Sequence, residues 1–190
     1  VEPIARHEYD LLFELGRRDV PCVDPVGIVA GRTSPDGEEL PAAIITRHLQ
    51  FSLPYRALFS TTLRPDTMHR LIDALAVLLV RLHLVGFVWR DCSLSNTLFR
   101  RDGDKIQAYL VDAETSEIHP ALSNGQRAYD LDILVENVAF GLADLGAMQG
   151  REDAFDDAVQ AAETVRTTYL GVWSELTDEP LVSPEDRHSV

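Results

Sequence analysis

Apolar residues recur at helical spacing in four stretches of this chain, and short apolar runs bounded by turn residues lie between them. Ile4, Leu11, Leu12 and Leu15 share one face of a helix predicted over residues 4–15, with Gly16 as its stop and Arg17 and Arg18 placed to complement the dipole. Glu8 falls on that apolar face, three, four and seven positions from the leucines, and an acid there requires a partner. Residues 26–30 and 42–46 read as strands of a hairpin around Ser34-Pro35-Asp36-Gly37, and residues 47–54 as a connector. Asp66 is the expected cap of a long helix over residues 67–85 that ends at Gly86, with Met68, Leu71, Ile72, Leu75, Leu78, Leu79 and Leu82 in a broad stripe. Residues 97–99 and 106–111 form a second hairpin around Asp102-Gly103.

After a loop over 120–125, two more helices follow. One, over 129–145, uses Leu131, Leu134, Val135, Val138, Ala139 and Leu142; the other, over 154–176, uses Phe155, Val159, Ala162, Val165, Tyr169 and Trp173. Gly171 weakens the last by about 1 kcal/mol relative to Ala, so a bend is expected nearby. From Thr177 the chain is acidic and contains proline, the composition of a poorly ordered tail. The order is helix, hairpin, long helix, polar loop, hairpin, helices.

The polar loop carries the chemistry. Trp89-Arg90-Asp91-Cys92-Ser93-Leu94-Ser95-Asn96 precedes the second hairpin, which ends in Val111-Asp112-Ala113-Glu114. Four residues between Asp91 and Asn96 let both side chains reach one cleft, and the hairpin brings Asp112 back to it. That is the polar skeleton of phosphoryl transfer, in which the first Asp accepts a hydroxyl proton and the Asn and second Asp hold Mg²⁺ on nucleotide phosphates. Taken singly, Asp91 and Asn96 also suit turns. An acid that ends an apolar strand, as Asp112 does, is costly unless paired or metal-bound. Glu114 suits either a site contact or a solvated charge.

Other chemistries are poorly supplied. His7-Glu8 lacks the second His of a zinc-protease helix, Ser93 and Ser95 lack a G-x-S-x-G elbow, and Asp91 disfavours a Cys92 thiolate. The two cysteines form no CxxC pair, which fits a reducing cytoplasm. Over 190 residues the formal charge is −14, which argues against a basic nucleic-acid surface but not against ATP. Glu152, Asp153, Asp156 and Asp157 read as a solvated helix face. The apolar stretch from Leu71 to Trp89 contains Asp73, Arg81 and His83, too many charges for a membrane span. The start Val1-Glu2-Pro3 shows no signal peptide, and the missing initial Met suggests a cut from a longer protein.

The loop resembles the catalytic loop H-R-D-x-x-x-x-N of the protein-kinase-like superfamily. Arg90, Asp91 and Asn96 match, and Trp89 stands where His is usual. The wording Asp-Cys-Ser-Leu-Ser-Asn is similar to the aminoglycoside-phosphotransferase, Rio-type and lipopolysaccharide-kinase branches. Residues 63–117 resemble most closely an actinobacterial family of unknown function that carries a lipopolysaccharide-kinase-like domain. The resemblance implies an α+β, protein-kinase-like fold lacking the first small-lobe strands. The rest of the small lobe with the hinge would occupy 1–52, the helical large lobe 53–178 and a tail 179–190. It implies ATP and Mg²⁺ as cofactors, Asp91 as base, Asn96 and Asp112 as metal ligands, and Arg90 and Asp130 (Asp132 being the rival) as supports of the loop. Glu8 matches the regulatory-helix Glu that pairs with a strand lysine, and Thr46, Arg47, His48 and Leu49 match the adenine-binding hinge. No lysine precedes Glu8, and Gly27 and Gly31 make no phosphate loop, so this stretch alone is expected to be inactive or nearly so. Asp112-Ala113-Glu114 departs from Asp-Phe-Gly and loses the Phe that switches protein kinases. The expected function is transfer of the ATP γ-phosphoryl group to an unidentified hydroxyl acceptor. A pseudokinase that binds nucleotide or acts as a scaffold is the alternative, and a carboxylate-metal hydrolase on an unrelated fold a third.

Overall fold

A computed structural model of the chain describes residues 2–59 and 65–177. Helix α1 (Glu2–Arg17) buries Ala5, Leu11, Leu12 and Leu15, and leaves Ile4 exposed. It runs through Gly16, the expected stop. The chain turns instead at Asp19, which takes φ 55° and closes the end with two bonds, Asp19 N to Gly16 O (3.2 Å) and Val20 N to Leu15 O (3.1 Å). Asp is one of the few non-glycine residues that adopt this left-handed cap readily.

Strands β1 (Pro25–Val29) and β2 (Ala43–Thr46) pair antiparallel, and the Ser34–Gly37 turn closes through Gly37 N to Ser34 O at 3.0 Å. The expected connector 47–54 contains a further strand, β3 (Ser52–Pro54), followed at once by α2 (Tyr55–Phe59). β3 escapes a periodicity reading because three residues show no alternation. It is fixed by pairing with β5 (Thr97–Asp102), which pairs in turn with β6 (Lys105–Leu110). In that hairpin Asp102 pairs with Lys105, so the two-residue loop is Gly103-Asp104, one position later than expected, with Gly103 at φ 60°.

Helix α3 (Pro65–Leu84) is the centre of the molecule. It begins before Asp66, which therefore lies in its first turn and not at its cap. Leu71, Ile72, Leu75, Leu78, Leu79, Val80 and Leu82 are all buried, because α5 (Ala154–Thr177) packs on one side and β6 on the other. The chain leaves α3 through Gly86 at φ 79° and enters β4 (Phe87–Val88), which pairs with β7 (Glu117–Ile118). Segment 21–23 lies beside the end of β6, with Leu110 N bonded to Pro21 O (3.0 Å) and Val23 N to Leu110 O (2.9 Å). The region around β1 and β2 is thereby joined to the hairpin sheet.

Helix α4 (Asn124–Met148) starts five residues earlier than its apolar pattern suggests. Ser123 and Gln126 form a reciprocal capping box, which draws Asn124 and Gly125 into the first turn. Helix α5 (Ala154–Thr177) is unbroken at Gly171. Its packed face is small, Ala154, Ala158 and Ala162 with Val165 and Tyr169, whereas Phe155 and Val159 of the expected stripe are exposed. Small residues let α4 and α5 approach closely, and a Cβ on Gly146 would sit 2.3 Å from that of Ala154. The expected tail, residues 178–190, lies outside the described residues. No helix among the described residues is long and apolar enough to cross a membrane.

Gly86 is the position where this fold tolerates least change. A Cβ there would lie 1.9 Å from His119 O, the carbonyl beside the β4–β7 pair, and its φ is strained for any L side chain. Gly86→Ala should therefore destabilise the chain by more than about 1 kcal/mol, read as a lower urea midpoint at unchanged slope.

Candidate active site

The loop that leaves β4 is held by one carboxylate. Asp130, in the second turn of α4 and fully buried, accepts from Trp89 N (2.6 Å) and from Arg90 N (2.9 Å). Between these amides the backbone makes a tight three-residue turn, with Asp91 N bonded to Trp89 O at 2.8 Å and Arg90 at φ 65°. A γ-turn of this hand is rare and strained, and such conformations persist only where the surroundings over-determine them. Asp132, the rival for this role, pairs instead with Arg166 at 2.8 Å. The Arg90 side chain reaches Glu117 on β7 at 2.7 Å.

The turn projects Asp91 to the surface and sends Cys92 into the core. Burial, then the charges of Asp130 and Asp91, push the Cys92 thiol well up, so it is inert. Asn96 is joined to Asp91, its Nδ2 donating to Asp91 Oδ2 (3.0 Å) and to Asp91 O (3.2 Å). Asn96 O accepts from Val111 N (3.0 Å), which sets the end of the hairpin, and hence Asp112, beside the loop. Trp89 closes the arrangement: its ring is fully buried and its Nε1 donates to Asp112 O at 3.2 Å. The structure therefore brings Asp91, Asn96 and Asp112 to one place.

Glu8 arrives from α1. Its carboxyl pKa is raised above the ordinary value by burial first and by repulsion from Asp112, with the nearby Ala113 backbone opposing and Glu114 adding to the rise. His7, next to it, donates from Nε2 to Ser116 O (2.9 Å), which pins α1 to the segment after Asp112. The expected hinge follows β2. Arg47 N bonds Asp24 O (2.8 Å), its guanidinium pairs with Asp24 (2.9 Å), and Leu49 O accepts from Ser52 Oγ (2.8 Å). Thr46 ends β2, and His48 is exposed between these ties. Two cavities of about 290 and 500 Å³ lie elsewhere, where α3 and β6 meet segment 19–25, and none of Asp91, Asn96 or Asp112 lines them.

Among the described residues no group of three or more His, Cys, Asp or Glu side chains is arranged to hold a metal ion. The donor set here is instead one amide oxygen and one carboxylate. Asn96 donates from its nitrogen, which leaves its amide oxygen for a cation, and among the described residues the Asp112 carboxylate accepts only from Glu114 N (3.1 Å). Hard oxygen donors in this small number suit Mg²⁺, which takes its remaining ligands from water and phosphate. The mutual repulsion of Asp112 and Glu8 is also what a cation would relieve. Residues and group fit.

The sequence model of the lipopolysaccharide kinase (Kdo/WaaP) family matches residues 2–151, most of the chain. The chain belongs to this family. Among solved structures it is similar to WaaP in a complex with acyl carrier protein, at 18% identity and a TM-score of 0.56, covering 92% of this chain and 75% of that one. It is also similar to the Rio2 kinase of Chaetomium thermophilum in an ADP/Mg²⁺-phosphoaspartate complex, at 15% identity and a TM-score of 0.52. That match covers 93% of this chain but 55% of the Rio2 chain. At these identities the likeness establishes the fold, protein-kinase-like and mixed in helix and strand. No curated protein matches the sequence.

Several supports of this family site escaped the sequence reading. His83, which reads as one member of an apolar helix, is buried with Nε2 3.2 Å from Asp130 Oδ2 and Nδ1 2.7 Å from Tyr169 Oη. A carboxylate only accepts, so Nε2 carries the hydrogen, and burial, which lowers the pKa of His83, favours the neutral ring, whose Nδ1 accepts from the tyrosine. Asn137 of α4 donates to Cys92 O at 2.7 Å, and Ser116 Oγ to Trp89 O at 3.0 Å. A polar residue on an apolar helix face was the available signal for His83 and Asn137. Nothing in the spacing marks Ser116.

Three outcomes follow from these contacts. Each buried donor left without an acceptor costs about 1–3 kcal/mol, so Asp130→Ala should lose at least about 2 kcal/mol by denaturant unfolding. Burial lowers the pKa of His83 against the opposing pull of Asp130, so the unfolded chain takes up this proton first. Stability should therefore be full above about pH 6.5 and fall as the pH drops below it, and the fall should shrink in His83→Gln. Glu8 has the opposite sign: its raised pKa favours folding at acid pH and makes the ionised form a burden at neutral pH. Glu8→Gln should raise the melting temperature of the nucleotide-free protein at pH 7.

Proposed function

We propose that this kinase-like chain carries the catalytic centre for transfer of the ATP γ-phosphoryl group to a hydroxyl acceptor, with Asp91, Asn96 and Asp112 as its working residues. The observation that carries the reading is the Asp91–Asn96 hydrogen bond of 3.0 Å, with the adjacent backbone of Asn96 bonded to that of Val111. The family and the fold supply the prior, and this geometry supports the residue roles.

In the proposed step, the acceptor oxygen attacks the γ-phosphorus as its bond to the β-phosphate oxygen breaks, and ADP leaves. Asp91, exposed and held by a strained turn, takes the acceptor's proton. Asn96 fixes the Asp91 carboxylate through its nitrogen and offers its oxygen to the metal, together with Asp112. Mg²⁺ in that place would neutralise charge on the β- and γ-phosphates. Glu8 stands where a lysine bridging to the phosphates would be met, and the His48 backbone, between two tied neighbours, is the proposed contact for adenine. Trp89 stands where histidine is usual and links the loop, through its own ring, to the Asp112 backbone. The loss of Phe after Asp112 leaves a small, buried Ala113, and the segment is anchored to α1 through the His7–Ser116 bond and not through an aromatic plug. The acceptor is proposed to be a sugar hydroxyl of the kind that the family's description names, with small-molecule hydroxyls next.

The test uses the full-length protein with Mg²⁺ and ATP. Asp112→Asn should abolish Mg²⁺-dependent nucleotide binding in calorimetry. Asp91→Asn should keep that binding and lower transfer by about 10²–10⁴-fold, the usual worth of a positioned base. Binding without transfer in the wild type, across sugar and small-molecule acceptors, would point to the pseudokinase reading. Folded wild type that binds no nucleotide would remove the proposed function altogether.

A further inference from the structure

The family match ends at residue 151, before α5 begins at Ala154, yet α5 enters the support of the catalytic loop. Tyr169 of α5, 3% exposed, bonds His83 Nδ1 through its hydroxyl at 2.7 Å. His83, also 3% exposed, bonds Asp130 Oδ2, and Asp130 accepts the two backbone amides that define the turn at Arg90. Three buried side chains, Tyr169, His83 and Asp130, thus connect the last helix to the residue before Asp91. The rings of Tyr169 and Trp173 stack at 6.1 Å between centroids, and both meet the His83 ring edge-on, at 5.5 and 6.5 Å. The Arg127 guanidinium of α4 covers the Trp173 ring at 3.9 Å. His83 is therefore enclosed by α5 on the side away from Asp130.

We infer that Tyr169 is a positioning residue for the catalytic loop, acting through His83 and Asp130, so that α5 is part of the functional unit although it lies outside the family match. The physical argument runs through the two ends of one imidazole. Neutral His83 has one donor and one acceptor, and a hydroxyl donating to Nδ1 forces the hydrogen onto Nε2. That hydrogen faces Asp130 and completes its hydrogen bonding with the two loop amides. Without the hydroxyl, Nδ1 becomes a buried acceptor that has lost its tyrosine donor, the ring is no longer held at that end, and its Nε2–H bond to Asp130 weakens. The carboxylate is then free to rotate, and the strained turn at Arg90 loses the contacts that over-determine it. The consequence for catalysis rests on the proposed role of Asp91; the link between Tyr169 and the turn does not.

Tyr169→Phe removes the hydroxyl and keeps the ring packing, and Ala162→Gly loosens α5 without touching the three side chains. Amide hydrogen exchange reads the turn directly. In Tyr169→Phe, protection at Trp89 and Arg90 should fall about fivefold or more, the equivalent of one ordinary hydrogen bond, while the β5–β6 hairpin keeps its own. Ala162→Gly should lower all of these together. With Mg²⁺ and ATP, kcat should drop in Tyr169→Phe at unchanged KM for ATP. In the wild type, nitrogen shifts of His83 should show the Nε2–H tautomer at pH 7, a readout that needs no variant to fold. An Nδ1–H tautomer, unchanged protection of Trp89 and Arg90, or identical patterns in the two variants would overturn the inference. Lost protection in a protein that never transfers phosphate would leave the wiring standing and remove only the kinase reading.

Discussion

A carboxylate with no exposure, Asp130, accepts from two consecutive backbone amides and from a buried histidine, and the geometry of the site depends on that convergence. The turn it holds places Arg90 at φ 65°, a conformation an arginine does not adopt for local reasons. Held there, the chain reverses direction between a fully buried tryptophan and an exposed aspartate in two residues. The loop can then anchor in the core at Trp89 and Cys92 and still present Asp91 outside. Every other contact of the site follows from that reversal, including the Asp91–Asn96 bond and the Trp89 link to Asp112.

The surrounding helices are arranged so that this carboxylate stays dry and filled. α3 contributes His83 from its last turn, α4 contributes Asp130 from its second turn and Asn137 from further along, and α5 contributes Tyr169. Small residues on α5 let it approach α4 closely enough for a tyrosine and a tryptophan to close over the imidazole. On the other side, α1 is attached through His7 to the segment after Asp112. The molecule therefore brackets one loop and one hairpin end between helices that are far apart in sequence.

Much of this could be read from the chain before any coordinates. The long helices are legible because their apolar stripes persist for many turns; Asp91, Asn96 and Asp112 stand out as candidates because their spacing has a chemical reason, whereas Asp130 is singled out only through the resemblance. The missed pieces share a physical cause, since each is decided by something distant in sequence or by a local cap. β3 and the pairs around β4 and β7 are two or three residues long and exist through their partners. α4 begins at Asn124 because Ser123 and Gln126 cap each other, a signature present in the sequence and overlooked beside Gly125. Gly16 failed as a stop because the end bonds need a left-handed residue two positions after the helix, and Asp19 supplies it. His83 and Tyr169 are 86 positions apart, and no periodicity links them.

The central claim, that Asn96 and Asp112 hold a metal on a nucleotide beside Asp91, is tested most directly by titrating Mn²⁺ and ADP into the isotopically labelled protein. The paramagnetic ion broadens resonances close to it. The account predicts loss of the Asn96 side-chain amide and the backbone signals of Asp112 and Ala113 first, only when ADP is present, with the Gly103-Asp104 turn of the hairpin untouched. Broadening confined to the acidic surface of Glu152, Asp153, Asp156 and Asp157, or independent of ADP, would contradict it.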